Sequence, residues 1–155
     1  GELLMAWPDR YERRGHLQYL PLPGGAAAIK EPWRMAVSYL YLSFGPQSLD
    51  LGLKMLERQD RSQLALIGQI IQKQIRSPLT SSLGRLFDAV AALIGLRDRA
   101  AFEGQAAMML EMCCPEEKFP PYPFDLSEED GQWILQPQAF IRRIVSDLSQ
   151  GRSQA

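Results

Sequence analysis

The run Ser77-Pro78-Leu79-Thr80-Ser81-Ser82, continued by Gly84-Arg85-Leu86-Phe87-Asp88-Ala89-Val90-Ala91-Ala92-Leu93, constrains this chain more than any other stretch. Pro78 stops the helix before it, and the hydroxyl of Ser81 or Ser82 is placed to cap a new one. Leu83, Leu86, Phe87, Val90, Leu93 and Ile94 recur at helical spacing and predict that helix's buried stripe. Gly84 and Asp88 fall one turn apart on an adjacent flank, with Ala91 and Ala92 beside them. Glycine inside a helix costs about 1 kcal/mol relative to alanine, so Gly84 asks for a packing or ligand reason. Asp88 then has two readings. Small neighbours leave open space where a ligand fits; alternatively, it is a solvated acid pairing with Arg85 at i−3, worth a few tenths of a kcal/mol.

The chain has 155 residues, 46% of them hydrophobic, enough for one domain with a sizeable core. Net charge is −1 and no Lys/Arg block forms a footprint for nucleic acid, so we expect no nucleic-acid partner. No apolar run approaches a membrane span, so no membrane partner is expected either. The start at Gly1 suggests a fragment of a longer protein or a processed tag scar. The only cysteines, Cys113 and Cys114, are adjacent and predict free, buried or semi-buried thiols in a reducing cytoplasm. His16 is the single histidine, so no zinc site or catalytic triad is expected and the metal ligands are none.

Leu3 to Trp7 and Arg14 to Leu20 read as strands, ended by Pro21-Leu22-Pro23-Gly24-Gly25. Pro32 opens a helix with Trp33, Val37, Leu40, Tyr41 and Phe44 inward, and Gly45-Pro46 stops it. Ser48 is expected to cap a short helix reaching about Arg58. A third helix runs from about Arg61 to Ile75 with Leu64, Ile67, Ile71 and Ile75 inward. Another runs from about Glu103 to Met112. Tyr122–Leu126 and Gln132–Leu135 suggest a hairpin around the turn Ser127–Gly131. Pro137 opens the last helix, striped by Phe140, Ile141, Ile144, Val145 and Leu148 and stopped at Gly151. The expected organisation is a single domain over 1–155: extended to about 25, helical over 26–114, loop and hairpin over 115–136, helix over 137–151. The fold class is mainly α with minor β, short strands lying at both ends.

Gly24 and Gly25, directly before a helix, are candidates to present backbone N–H groups to a phosphate, although Pro-Gly-Gly is above all a turn. Gly104 either lets a ligand approach the backbone or breaks the chain between helices. Met108, Met109 and Met112 read as core filler. The residues thus offer at most part of a nucleotide-type pocket and no self-sufficient catalytic centre.

Several words of the chain go further. Pro21–Gly25 with Ala27-Ala28-Ile29-Lys30-Glu31-Pro32-Trp33-Arg34-Met35-Ala36, then Ser77–Ser82, Gly84–Leu93 and Phe102-Glu103-Gly104-Gln105-Ala106-Ala107, resemble in order the HypF-type carbamoyltransferases. The tail from Tyr122-Pro123-Phe124 to Gly151 is similar in layout. These enzymes make the cyanide ligands of nickel–iron hydrogenase. Their last, carbamoyl-transferring domain is similar to the tRNA threonylcarbamoyl transferases, so the resemblance implies a helical subdomain of an actin/hexokinase-like fold. In those relatives a Gly-x-x-Phe-Asp helix places its aspartate on the ribose of an adenine nucleotide. The resemblance therefore implies that Gly84 and Asp88 lie at the nucleoside end of a pocket for ATP or carbamoyl-adenylate, with Gly104 nearby.

It also implies, as partners, a maturation protein with an acceptor C-terminal cysteine and the remaining domains of the parent protein. The family's His-rich metal motif, Asp-Gly-Thr-Gly loop and Ser-Gly-Gly segment are absent, and Ala26 stands where the family usually has an acid. The chain alone is accordingly expected to be catalytically silent. The rival reading is a helical protein–protein interaction module that touches no nucleotide.

Overall fold

A computed structural model describes residues 1–115 and 119–151. The elements run β1 (Glu2–Ala6), β2 (Tyr11–Leu17), β3 (Leu20–Pro21), α1 (Ala26–Lys30), α2 (Pro32–Phe44), a 3₁₀ turn (Pro46–Asp50), α3 (Lys54–Glu57) and α4 (Arg61–Lys73). They continue with β4 (Leu79–Thr80), α5 (Leu83–Leu93), α6 (Gln105–Met112), β5 (Asp125–Glu129), β6 (Gln132–Gln136) and α7 (Gln138–Ser149). The fold is mainly α with minor β. Part of the loop expected over 115–131 lies outside the described residues.

The organising element is α2. Its sequence carries a single charge, Arg34, and a helix that is apolar all round belongs in the interior. Helices α1, α4, α5 and α7 pack around it, with β3 and the 3₁₀ turn. Trp33, Val37 and Leu40 are buried as expected, but so are Met35, Ala36 and Tyr39, whereas Tyr41 and Phe44 are only half-buried. The inward face was thus expected too narrow. Pro32 starts the helix where its missing N–H is harmless, and Gly45 ends it with φ 77°, donating its N–H to the Tyr41 carbonyl.

Four other expectations need correction. Ser48 caps nothing: it is buried inside the 3₁₀ turn, and the helix after it shrinks to Lys54–Glu57. Helix α4 stops at Lys73, because Gln74 turns left-handed at φ 52°, which leaves Ile75 exposed rather than inward. Cys113 and Cys114 are free but exposed, and Met108 and Met112 are exposed rather than filling the core.

Asp60 caps α4, its carboxylate accepting the N–H groups of Ser62 at 2.8 Å and Gln63 at 3.1 Å. The Ser62 hydroxyl and these two amides lower its pKa below the ordinary 3.8. A lowered acid stabilises the fold above its unfolded pKa and loses that contribution as pH falls through the folded one. Asp60→Ala should therefore lower the urea midpoint at pH 7, and the gap between variant and parent should close in strong acid. A gap independent of pH would show that the carboxylate charge is not what caps the helix.

The strands form a sheet in the order β1-β2-β6-β5, antiparallel except for the parallel pair β2–β6. That pair joins the two ends of the described chain. In the hairpin the acids Asp125, Glu128 and Glu129 lie on β5 rather than in the turn. The turn is Asp130 (φ 49°) and Gly131 (φ 74°), left-handed at both positions, which suits the twist of a tight hairpin.

Gly15 sits opposite Trp133 in the parallel pair, and a Cβ there would lie 2.3 Å from the Trp133 carbonyl oxygen. Only glycine lets the two backbones approach. Gly15→Ala must push the strands apart and should cost about 1–3 kcal/mol, the usual range for overpacking. An unchanged denaturation midpoint would mean that the strands do not pair this closely.

The small β3–β4 pair, with Leu20 opposite Thr80 and Pro21 opposite Leu79, ties the Pro-Gly-Gly turn to the entrance of α5.

Candidate functional site

Helix α5 begins at Leu83 without the expected serine cap. Ser82 occupies the cap position, but its own N–H is donated to Thr80 Oγ1 at 3.1 Å and no side chain closes the turn. Ser81 instead donates its hydroxyl to Glu2 at 3.2 Å, fixing the helix entrance to β1.

The expected stripe is corrected as well. Leu86, Val90 and Leu93 are buried, Ile94 is half-buried, but Leu83 and Phe87 are 45% and 41% exposed. Their place is taken by Ala89, Ala91 and Ala92 and by two charged residues, Arg85 and Asp88. The helix is enclosed on two sides, by α2 and by α6. Small residues dominate because two helices approach it.

Asp88 is 2% exposed and Arg85 8%, so Asp88 is no solvated acid. An Arg85 Nη2 lies 2.9 Å from Asp88 Oδ2, which makes the i−3 pairing real but buried. The contact is one of charge only: its angles do not make a hydrogen bond, and Asp88 Oδ2 and Arg85 Nε have no hydrogen-bond partner among the described residues. Burial raises the Asp88 pKa, the Arg85 guanidinium opposes that shift, and the charge of Glu103 adds to it. Glu103 thus comes electrostatically within reach from the loop entering α6. Sequence reasoning missed it, although it directly precedes Gly104.

The two glycines of α5 and α6 border open space. A Cβ on Gly84 would meet only Ser82 Oγ at 3.6 Å, so no packing contact demands glycine there. Gly104 stands before α6 in a left-handed conformation at φ 82°, and a Cβ there would meet nothing within 4 Å. Helix α5 packs on α6, and the charge of Glu103, beside Gly104, is felt at Asp88.

Gly24 and Gly25 are placed differently. Their amides are already donated, to the Arg76 carbonyl at 3.0 Å and the Leu22 carbonyl at 3.0 Å, and Ala27 and Ala28 donate back to them. The helix behind them, α1, has five residues. Their hydrogen bonds hold the turn to residues 76–78, which lead into α5, and leave little backbone for a phosphate.

A buried carboxylate with an unused acceptor suits hydroxyl donors. The region holds no paired nucleophile and base, and no cluster of three metal-ligating side chains occurs among the described residues. Among the described residues, no helix is long and apolar enough to cross a membrane.

The family described as carbamoyltransferase, Kae1-like domain, second subdomain, matches residues 1–155. The carbamoyltransferase HypF2 of Cupriavidus necator is 43% identical over 112 residues, 72% of this chain and 13% of that protein. The carbamoyltransferase HypF of Synechocystis is 33% identical over 160 residues, 95% of this chain and 21% of its own length. Among solved structures, a full-length HypF in a phosphate- and nucleotide-bound form superposes with a TM-score of 0.86 at 36% identity, covering 99% of this chain and 23% of that one. The chain thus spans 13–23% of the length of these proteins. It belongs to the HypF carbamoyltransferase family, as the second subdomain of the Kae1-like domain.

Proposed function

We propose that this subdomain forms the nucleoside end of a pocket in an enzyme that passes a carbamoyl group from carbamoyl-adenylate to a partner's cysteine thiol during nickel–iron hydrogenase maturation. The observation that carries the reading is Asp88: a carboxylate 2% exposed, ion-paired with Arg85 but with an oxygen that accepts no hydrogen bond among the described residues, on a helix whose Gly84 opens onto free space. Asp88 accepts the ribose hydroxyls, Gly84 and Gly104 leave room for the nucleoside, and Gly24–Gly25 shapes the rim. In the transfer step the thiolate sulfur bonds to the carbamoyl carbon while that carbon's bond to the phosphate oxygen breaks, and the nucleotide leaves with the electron pair. The rest of an actin/hexokinase-like domain supplies the phosphate and metal ligands, so the 155 residues alone are silent. The acceptor is the C-terminal cysteine of a maturation protein in the cytoplasm.

The interaction-module reading has one observation in its favour, the exposed Leu83 and Phe87 one turn apart on α5. Gly84→Ala separates the two. The methyl group meets no clash, so helix propensity should raise stability by a few tenths to about 1 kcal/mol. In a full-length HypF carrying this subdomain, the same methyl occupies the nucleoside's space and should weaken ATP binding by about tenfold or more, roughly 1.4 kcal/mol. Unchanged binding by calorimetry would remove the pocket from α5 and leave the docking reading.

A further inference from the structure

Half of the chain's six methionines and both of its cysteines stand in one stretch, Met108-Met109-Leu110-Glu111-Met112-Cys113-Cys114. Methionine serves the core elsewhere, since Met35 and Met55 are buried. At the end of α6 the opposite holds. Met112 is 82% exposed and Met108 53%, and both thiols are free and exposed. The one buried residue of α6, Ala106, lies in its first turn, so packing accounts for neither exposed thioether.

Met109, Met112 and Cys113 are spaced i, i+3, i+4 and share one face of the helix. Cys113 is the C-cap, and Cys114 follows it outside the helix, its thiol donating to the Leu110 carbonyl at 3.5 Å. Adjacent Cα atoms stand about 3.8 Å apart, short of the roughly 4.4–6.8 Å of an unstrained disulfide. The two thiols therefore resist joining each other. One ion asks less of them, because thiolate–metal bonds of about 2.3 Å need the sulfurs only within roughly 4.6 Å. The donors also select the ion. Thiolate and thioether sulfur are soft and suit Cu(I). No group of three His, Cys, Asp or Glu exists among the described residues, so no harder chelate accompanies them. The last carbonyls of α6 add the negative end of the helix dipole, which favours a cation.

We propose that the C-terminal end of α6 binds one soft monovalent cation of the Cu(I) class, held by the Cys113 and Cys114 thiolates and by thioether sulfur from Met109 and Met112. Each thiol releases its proton to solvent as its sulfur–copper bond forms, and no electron is transferred. The site lies at the far end of α6 from Gly104 and stands apart from the nucleotide reading.

The 155-residue chain suits the test, because these are its only thiols. Reduced protein is titrated with Cu(I) in the absence of oxygen against a coloured Cu(I) chelator. One copper per chain should be withdrawn from the chelator, with a thiolate-to-copper charge-transfer band in the ultraviolet. Cys113→Ser and Cys114→Ser should each weaken binding about a hundredfold or more, since even a lost hydrogen-bond partner of a metal ligand costs about 10–100-fold. Met109→Leu combined with Met112→Leu keeps side-chain volume and should weaken it about tenfold. Met108→Leu should bind as the parent does, and unchanged urea midpoints show that the variants fold. Failure to withdraw copper overturns the proposal, as does one copper shared between two chains. Equal affinity in the double methionine variant also overturns it, because two thiols alone would then explain the binding.

Discussion

Asp88→Ala should destabilise this domain by about 3–5 kcal/mol, read by urea denaturation without any ligand. The reason is its partner. Arg85 is 8% exposed and its guanidinium lies 2.9 Å from the carboxylate, so removing Asp88 leaves a positive charge buried without compensation. Replacing both residues by apolar side chains removes the charge with the acid, and Arg85→Met with Asp88→Leu should recover most of the loss. A double variant as unstable as the single one would show that volume, not charge, sets the cost. Lost nucleotide binding in Asp88→Ala is therefore ambiguous by itself. Gly84→Ala, which adds a methyl into free space, asks the functional question without breaking an ion pair.

How far the sequence discloses this site depends on what packs where. Helix α5, its boundaries and the one-turn spacing of Gly84 and Asp88 are local properties, and periodicity finds them. Which face is buried is not local. Leu83 and Phe87 belong to the apolar stripe by spacing, yet α2 and α6 approach on the sides bearing Ala89, Ala91, Ala92, Arg85 and Asp88. Small residues permit close helix packing, and that outweighed the large residues' preference for burial. A run of alanines beside an acid is thus as much a packing signal as a sign of open space. The same logic explains the ends. Pro32, Gly45 and Gly151 punctuate helices through φ alone and are legible, whereas the β2–β6 pairing joins segments more than a hundred residues apart. Nothing local announces it except Gly15, whose missing Cβ makes sense only once Trp133 lies opposite. Glu103 was invisible as a neighbour of Asp88 for the same reason.

Trp33→Ala should be as damaging as the loss of Asp88, by another route. Trp33 is fully buried at the start of α2, the helix that the rest of the chain wraps, and its amide donates to the Asp98 carbonyl at 3.4 Å. Truncating a buried tryptophan typically costs about 3–5 kcal/mol, because the transfer energy is lost and the cavity collapses only in part. Collapse is especially hard here, since Met35, Ala36, Val37, Tyr39 and Leu40 hold α2 by full burial on every side. One detail sharpens the test. The indole Nε1–H has no hydrogen-bond partner among the described residues, and a buried donor left unmade costs about 1–3 kcal/mol. Trp33→Phe discards that donor while keeping most of the ring. It should therefore lose far less than Trp33→Ala, and the difference between the variants in urea measures packing rather than hydrogen bonding. If Trp33→Phe proves as destabilising as Trp33→Ala, the indole N–H is satisfied in solution. Its partner then contributes to the core, and the ring is held by that bond as well as by its neighbours.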